Sequence, residues 1–443
     1  MPTVKPQALD RQAVGRPRLL VTALVVLAAG AATAYAFVVG RPLAKAHYEI
    51  KLDAAPFVGM WKWRIGPRLL LSVAVAAVAV AVLPAAAQRI RCRWLVVMCA
   101  AFNALFAFVL AASDGWRAVI GPVVDPTEYW VGVKLADPFS LFLRTFARQG
   151  LYFTVHVRGH PPGMMLLLIM MRPLGLHSPW AAAALSFIGC GATVVAVSVT
   201  VWRLVGIEAA RRAALLLAIA PFAVWQGTSA DAFYCGVASS AIALTALAAT
   251  SRGVRSQIAG FGSGVVIASA CFFTYGAITL APIFVAVVLI TRSWRWLPAF
   301  ALSGSVVVGT FLWGGFWWLE GFRATQHHYW EGTAKFRPPV YFAIANLVVL
   351  SFAIGLPTLA SLPNAVLRRT KLSALIISAL VCVAIAEASQ YSKGETERIW
   401  LIYMPWLVIS GVAVAGTRNR QRWWITIQAV TAIVLQAALV SKW

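Results

Sequence analysis

Apolar stretches of about 20 residues, each long enough to cross a bilayer as a helix, recur along the whole chain. With 61% hydrophobic and 12% charged residues and a mean hydropathy of +0.79, the chain has more apolar surface than a soluble globule can bury. The pattern predicts an all-α polytopic integral membrane protein with about 13 transmembrane helices. The predicted spans are residues 18–40, 68–87, 94–112, 179–203, 211–228, 232–250, 257–273, 276–291, 297–318, 339–361, 372–388, 400–416 and 423–441.

The positive charge of the chain is concentrated in short loops between the apolar stretches. The formal net charge is +24, yet the Lys and Arg residues form no basic stripe of the kind that binds nucleic acid. An excess of Lys and Arg in short loops is typical of the cytoplasmic face of membrane proteins. We therefore predict no nucleic-acid partner, a location in the cell membrane, and a basic cytoplasmic tail over residues 1–17. The Arg-rich loops are QRIRCR, WRLVGIEAARR, TSRGVRSQ, TRSWRW, PNAVLRRTK and TRNRQR.

The apolar segment 163–176, which follows the sequence HPPG, is too short to cross the membrane. If it did cross, every later Arg-rich loop would change sides, so we predict a short interfacial helix on the outer side. The loop from Arg41 to Arg68 is an exception to the charge rule, because it carries several cations on the outer side. These cations either contact lipid phosphates or are tolerated at the outer leaflet.

The acidic residues indicate where the function lies. Apart from Asp10 and Glu208, every Asp and Glu lies on or near the outer face of the predicted topology. Longer outer loops explain some of this bias, but not Asp114, which ends a span, or Asp231, which lies between two spans. Ionisable groups at membrane depth are costly and usually functional. The other outer acids singled out are Asp125, Glu128, Asp137, Glu320, Glu331, Glu395 and Glu397.

Several motifs occur in an order that resembles the type C glycosyltransferase superfamily. An acid after a span is followed by a loop, by HPPG and by a span that ends in Arg-rich cytoplasm. Protein O-mannosyltransferases and aminoarabinose transferases of that superfamily carry His-Pro-Pro-Leu or Lys-Pro-Pro-Leu at the equivalent place. The stretches HVRGHPPG, SADA and GETERIW are also similar to actinobacterial membrane proteins grouped there. The resemblance covers roughly residues 94–400.

The resemblance implies a division of the chain. Residues 18–93 form two additional transmembrane helices and a loop, residues 94–400 form the catalytic core, and residues 401–443 form C-terminal helices. The outer loops of the core are 113–162, 319–339 and 389–399. The superfamily's acid follows the first span, whereas Asp114 follows the third; if the first two spans are not an addition, Glu49 or Asp53 takes its place.

The resemblance also implies an activity on the outer face. Such enzymes transfer a sugar from a polyprenyl phosphate to an acceptor, here a cell-envelope glycan or glycolipid, with mannose or arabinofuranose as the implied sugars. The implied partners are membrane lipids, the lipid-linked donor and the acceptor, with no further cofactor. The absence of a P-loop or a soluble nucleotide-sugar domain fits a lipid-linked donor.

The chemistry needs a base for the acceptor hydroxyl and cations for the leaving phosphate. Asp114 is the predicted catalytic base, with a capping or topological role as the alternative. The predicted phosphate-binding residues are His156, Arg158, His160, Lys393 and Arg398. An ion pair with Glu395 or Glu397 is an equal alternative for Arg398. The predicted substrate-binding residues are Glu128, Tyr129, Asp231, His327, His328, Glu331, Arg337 and Glu395.

Other interpretations remain open. The spacing of His156 and His160 would suit zinc on a helix, but Gly159 and the proline pair argue against a helix, and no metal site is predicted. His327, His328 and the neighbouring aromatic rings either line a sugar site or form an interfacial belt. A transporter or flippase is the competing class, although no clear internal repeat is visible.

Overall fold

The computed structural model describes residues 16–136, 138–227 and 229–441. Asp10 and Asp137, together with most of the predicted tail 1–17, lie outside the described residues. Apart from loops and turns, the described chain is helical, with one antiparallel pair of short strands, β1 (Met60–Trp61) and β2 (Leu439–Val440), and an isolated bridge between Ala54 and Phe57. The protein is all-α in class, as the sequence predicts.

The first helices are α1 (Arg16–Ala46), α2 (Leu69–Arg89), α3 (Cys92–Ala111), α4 (Trp116–Ile120), α5 (Tyr129–Gly132), α6 (Phe139–Thr145), α7 (Val155–Arg158) and α8 (Gly163–Met171). The next are α9 (Pro179–Leu204), α10 (Ile207–Ala218), α11 (Ala223–Gln226), α12 (Ala230–Thr250), α13 (Val254–Phe273), α14 (Ala281–Thr291) and α15 (Leu297–Trp313). The last are α16 (Trp318–Glu331), α17 (Pro339–Ile354), α18 (Leu356–Leu367), α19 (Lys371–Ser389), α20 (Thr396–Ile399), α21 (Met404–Val408) and α22 (Arg418–Ala438). Short 3₁₀ turns lie at Tyr48–Ile50, Ala112–Asp114, Val133–Ala136, Gly150–Tyr152, Arg172–Leu174, Tyr275–Leu280, Thr333–Phe336, Trp400–Ile402 and Ile409–Ala413.

Within the described residues, seven helices are long and apolar enough to cross a membrane. Two further pairs, α15 with α16 and α17 with α18, pass the same criterion together but bend by 70° and 99°. The number of spans is therefore seven, or nine if each bent pair is one span, and the predicted thirteen are not confirmed. The seven are Leu19–Ala46, Leu69–Arg89, Cys92–Asp114, Pro179–Leu204, Ala230–Thr250, Val254–Phe273 and Lys371–Ser389.

Prolines and polar residues explain why four predicted spans fall short. The prediction 211–228 fails because α10 ends before Pro221, and 276–291 begins with a 3₁₀ turn before Pro282. The prediction 400–416 consists of α21 between two 3₁₀ turns. Since proline lacks an amide donor and its ring clashes with the preceding turn, it interrupts helices. The prediction 423–441 lies on α22, which is long but rich in Arg and Gln.

Helices α9 and α12 pack backbone against backbone. A Cβ atom on Gly189 would lie 2.3 Å from the Ala232 carbonyl oxygen, and one on Gly236 would lie 2.7 Å from the Gly189 Cα. Small residues allow such close approach between membrane helices. This contact fixes the start of α12, and with it Asp231, against α9.

The Arg-rich loops meet at one end of the bundle, which is called the basic end below. Three hydrogen bonds show this. They join the end of α2 to α10, the end of α9 to the end of α12, and the start of α13 to the loop before α15. The bonds run from Arg211 Nε to Ala87 O (2.9 Å), from Arg203 Nε to Thr250 Oγ1 (2.7 Å) and from Gln257 Nε2 to Arg295 O (2.8 Å). The first four of the loops that the sequence assigns to one membrane face therefore lie together.

Candidate active site

The HPPG sequence forms a rigid corner at the end opposite the basic end. His156 and Arg158 lie on the short helix α7, and Pro161-Pro162 leads directly into α8. A Cβ atom on Gly163 would lie 2.3 Å from the Phe272 carbonyl oxygen, so α8 can begin against α13 only with glycine there. Helix α8 has nine residues, too few for the about 20 that a crossing needs.

Arg398 is the centre of a buried polar cluster at this corner. Its guanidinium donates to Asp231 Oδ2 at 2.9 Å, to Glu395 Oε2 at 3.1 Å and to His156 Nδ1 at 3.1 Å. Arg398, Asp231 and His156 are all buried, with 5–8% of their surface exposed. We refer to Arg398, Asp231, Glu395, His156 and Glu128 as the Arg398 network.

The contacts of His156 fix its tautomer. Because a guanidinium can only donate, His156 Nδ1 must accept. The proton of the neutral ring then lies on Nε2, which faces Glu128 Oε1 at 3.5 Å. Burial, and next the charge of Arg398, hold the pKa of His156 well below its usual range. His156 therefore stays neutral near pH 7 and presents an N–H to Glu128.

Glu128 has the electrostatic environment of a proton acceptor. Burial, assisted by the carboxylates of Asp231 and Asp125 and opposed by Arg398, raises its pKa to about 7. A carboxylate with a pKa near the working pH is well matched to accept and release a proton. Helix α5 begins at the next residue, Tyr129, whose hydroxyl is buried beside that of Tyr234.

Arg337 joins two of the loops that the sequence predicts to be outer. Its Nε donates to the Ile50 carbonyl at 3.1 Å, its Nη1 donates to the Lys393 carbonyl, and its Nη2 lies 3.9 Å from Glu395 Oε1. Burial alone would raise the pKa of Glu395, but Arg398 and Arg337 outweigh it and lower that pKa. Arg337 thus holds the first outer loop against the loop 389–399 and keeps Glu395 charged.

Two cations near the network have no carboxylate partner. Lys393 is 7% exposed, and its Nζ lies 4.6 Å from the Trp330 ring centroid. Arg158 is anchored through its backbone, which accepts a hydrogen bond from Thr325 Oγ1 at 3.0 Å. Within the part of the chain that the structure describes, neither side chain forms an ion pair. Helix α16 contacts both residues. Its Thr325 bonds the Arg158 backbone, and its Tyr329 Oη accepts from the Lys393 amide at 2.8 Å.

The remaining predicted residues divide between the network and the surface. His160 belongs near the network, since its Nδ1 lies 3.1 Å from the His156 carbonyl and its ring packs on Tyr129. His327 and Glu331 lie on α16, pair with each other at 3.1 Å, and are mostly exposed. His328 is beside Gly150, where an added Cβ would come within 2.9 Å of its Nε2.

Asp114 contacts a different part of the molecule. Its carboxylate pairs with Arg64 of the first outer loop and accepts from Gln436 Nε2 at 3.4 Å. Arg64 also donates to carbonyls at the end of α22, where β2 begins. The structure therefore brings Asp114 to the junction of the first outer loop and the C-terminus, with a cation already beside it. The alternative first-loop acids, Glu49 and Asp53, are exposed.

Sequence analysis did not assign a site role to two buried residues. Glu397 is 1% exposed; its Oε1 accepts from the Val58 amide at 3.3 Å, and its Oε2 has no hydrogen bond among the described residues. Burial, and then the charge of Glu395, raise its pKa to about 7. Tyr234 packs with its ring centroid 5.8 Å from that of His160. The sequence signal that could have identified Glu397 is its place within GETERIW, and the signal for Tyr234 is its place just after SADA.

The described residues contain no group of three His, Cys, Asp or Glu side chains placed to hold a metal ion. His156 and His160 do not share a helix, because α7 ends at Arg158.

Comparison with protein families finds no matching family model, and comparison with curated proteins finds no match. Two solved structures are similar. The first is ArnT from Cupriavidus metallidurans in the apo state, with a TM-score of 0.42 and 17% identity over 69% of this chain. The second is the Archaeoglobus fulgidus oligosaccharyltransferase in complex with zinc and sulfate, with a TM-score of 0.40 and 17% identity over 64% of this chain. The chain spans 60% and 45% of the lengths of these two proteins.

Proposed function

We propose that this protein is a membrane glycosyltransferase that transfers one sugar from a polyprenyl-phosphate carrier to a hydroxyl of a cell-envelope glycan or glycolipid. The observation that carries the proposal is Glu128, a partly buried carboxyl that faces neutral His156 in the Arg398 network and has its pKa raised to about 7. Lys393 and Arg158, each two residues along the chain from a member of the network, offer cations without carboxylate partners among the described residues. Attack by a hydroxyl on a sugar phosphate requires a proton acceptor for the hydroxyl and cations for the phosphate.

Glu128 acts as the base in this mechanism. It takes the proton of the acceptor hydroxyl as the hydroxyl oxygen attacks the anomeric carbon. The new glycosidic bond forms while the bond between that carbon and the phosphate oxygen breaks, and the polyprenyl phosphate leaves with the electron pair. His156 positions the Glu128 carboxylate through its Nε2 proton, and Arg398 fixes the His156 ring through Nδ1.

Lys393 and Arg158 bind the phosphate of the donor. Arg398 is less suited to that role, because Asp231 and Glu395 already balance its charge. Trp330, over which Lys393 lies, offers a flat apolar face for the sugar ring. Asp114 remains the base predicted from sequence, but Arg64 occupies its carboxylate, so we assign the role to Glu128.

We further propose that the network faces the extracytoplasmic side and that the basic end is cytoplasmic, in line with the positive-inside rule. The sugar is mannose or arabinofuranose, and the protein is of actinobacterial type; both assignments rest on the motif resemblance of residues 94–400.

A transporter or flippase for a lipid or sugar is the second candidate. The bends of 70° between α15 and α16 and of 99° between α17 and α18 favour it, because broken helices are common in transporters. The two functions differ in chemistry, since only the transferase makes a new glycosidic bond.

The test follows radiolabelled sugar in membranes from a strain lacking the gene, with and without the protein, supplied with polyprenyl-phosphate mannose or arabinose. Protein-dependent label in glycan or glycolipid is the expected result. The rate rises as the pH increases through about 7, because Glu128 must be ionised to accept a proton. Label that changes membrane side while still linked to polyprenyl phosphate would contradict the transferase and support the flippase.

A further inference from the structure

A cavity of about 360 Å³ lies at the outer end of α1, away from the residues of the Arg398 network. Two cations, Arg41 and Lys45, stand one helical turn apart on its wall, and Asp53 lies on the loop opposite. Neither cation forms an ion pair within the described parts of the chain, although Arg41 lies 5.8 Å from the Phe37 ring centroid. The lining residues are Arg41, Ala44, Lys45, Tyr48, Leu52, Asp53 and Ala55.

The floor of the cavity is rigid. Leu52 and Ala55 are 1% and 2% exposed and belong to a small apolar core with Tyr341 and Phe342 of α17. Arg337 fixes the same loop by donating to the Ile50 carbonyl. The cavity is therefore preformed between the last turns of α1 and the loop of residues 48–55, which Arg337 and α17 hold in place.

The position of α1 sets the depth of the cavity in the membrane. Only 6% of the residues in its most apolar stretch are buried, so one side of the helix is open while the other packs on α17 and α18. Its 28-residue span is about 42 Å long, which exceeds the roughly 30 Å of the hydrocarbon core. A helix longer than the hydrocarbon core extends into the headgroup layer, where the cations Arg41 and Lys45 of its last turns are more stable than in hydrocarbon.

We propose that this cavity binds the phosphate headgroup of one membrane phospholipid, preferably an anionic one. Two unpaired cations at phosphate depth supply the charge, and the cavity opens beside a lipid-facing helix, so the acyl chains can lie along α1. The carboxylate of Asp53 reduces the net positive charge of the cavity without cancelling it. The site is independent of the proposed glycosyl transfer, because none of its lining residues belongs to the Arg398 network.

The test counts lipids retained by the purified full-length protein in native mass spectrometry during titration with dioleoylphosphatidylglycerol. The double variant Arg41→Gln/Lys45→Gln should bind the first lipid at least about tenfold more weakly than the wild type, since each surface cation contributes to anionic-lipid binding. Lys62→Gln/Arg117→Gln is the matched control, because it removes two exposed outer-end cations that do not line the cavity. This control should bind like the wild type.

Two further experiments distinguish a lipid headgroup from free inorganic phosphate as the ligand. Ala44→Phe fills the cavity without changing charge and should also weaken lipid binding, while thermal unfolding verifies that the variant is folded. Inorganic phosphate at millimolar concentration should not displace the lipid. Equal binding by the wild type and the Arg41/Lys45 variant would overturn the proposal, as would displacement of the lipid by inorganic phosphate alone.

Discussion

Arg398 is the residue that holds the candidate site together. Its charge is shared between Asp231 and Glu395, and the Nη2 group that bonds Glu395 also donates to His156. Arg398 and Asp231 are both buried, so either one alone would be an unpaired charge in a poorly polarisable medium.

Replacing Arg398 should therefore destabilise the protein strongly. Arg398→Met leaves Asp231 and Glu395 without their common partner, and the expected loss in the free energy of unfolding is about 3–5 kcal/mol. Thermal unfolding in detergent measures the loss. Arg323→Met, at an exposed position of α16, is the control and should change stability by less than about 1 kcal/mol. Equal unfolding temperatures for the two variants would show that the network does not support the fold.

Glu397 predicts a pH dependence of stability. Its pKa is raised to about 7 in the folded protein, so folding favours the protonated acid. The stabilisation is complete below the unfolded pKa of about 4.5 and is lost as the pH rises through about 7. Glu397→Gln should remove the part of this dependence that Glu397 contributes, leaving that of Glu128, and should stabilise the protein at pH 8.5 by up to about 3 kcal/mol.

Unfolding temperatures at pH 5 and pH 8.5 test this expectation. The exposed Glu331→Gln variant is the control and should follow the wild type at both values. A Glu397→Gln variant that is less stable than the wild type at pH 8.5 would mean that the ionised carboxylate is bound favourably, through Val58 or Arg398.

At the scale of the helices, the contact between α9 and α12 depends on glycine. Gly189→Ala puts a methyl group 2.3 Å from the Ala232 carbonyl, which must push the helices apart. Overpacking of this kind costs about 1–3 kcal/mol. Gly191→Ala is a matched control two residues along the same helix, where the new Cβ meets its nearest atom at 3.8 Å. Unfolding temperatures should fall for Gly189→Ala only; a similar fall for both would contradict the close packing.

Long uninterrupted helices were predictable from sequence, and broken ones were not. Each of α2, α3, α9, α12, α13 and α19 lies on a predicted span. Hydropathy averages over about 20 residues and does not register a local break, so the stretches around Pro221, Pro282 and Pro405 were read as continuous. The nine residues of α8 agree with the prediction of a short helix, which came from the charges of the later loops, while its place at the outer interface stays a prediction.

Part of the site was also visible in the sequence. HVRGHPPG, SADA and GETERIW were singled out, and they supply His156, Asp231 and Arg398, although His156 and Arg398 are 242 residues apart. The pairing of Asp114 with Arg64 was not predictable, because it depends on how α22 docks against the first outer loop. The burial of Glu397 was hidden for the same reason, since its neighbour Val58 belongs to that loop.

At the scale of the whole molecule, the two ends differ in charge and in content. Arg-rich loops form the basic end, and the Arg398 network lies at the other. If the basic end is cytoplasmic, the network faces the outside.

Cysteine labelling of intact cells tests this orientation. A membrane-impermeant maleimide should label Tyr152→Cys, at a position 81% exposed beside the site, and should not label Arg252→Cys, in an exposed loop of the basic end. In lysed cells, the maleimide should label both the Tyr152→Cys and the Arg252→Cys variant. Labelling of the Arg252→Cys variant alone in intact cells would reverse the orientation and exclude an outer active site.

The most direct test of the account compares two carboxyl variants in the same assay of transfer from the lipid-linked donor. Loss of a positioned base typically costs 10²–10⁴-fold in rate, and the account predicts a loss of at least about 100-fold for Glu128→Gln. Asp114→Asn breaks a partly exposed ion pair with Arg64 and should keep its rate within about tenfold. Loss of transfer in the Asp114→Asn variant, with near-normal transfer by Glu128→Gln, would contradict the assignment and make Asp114 the base.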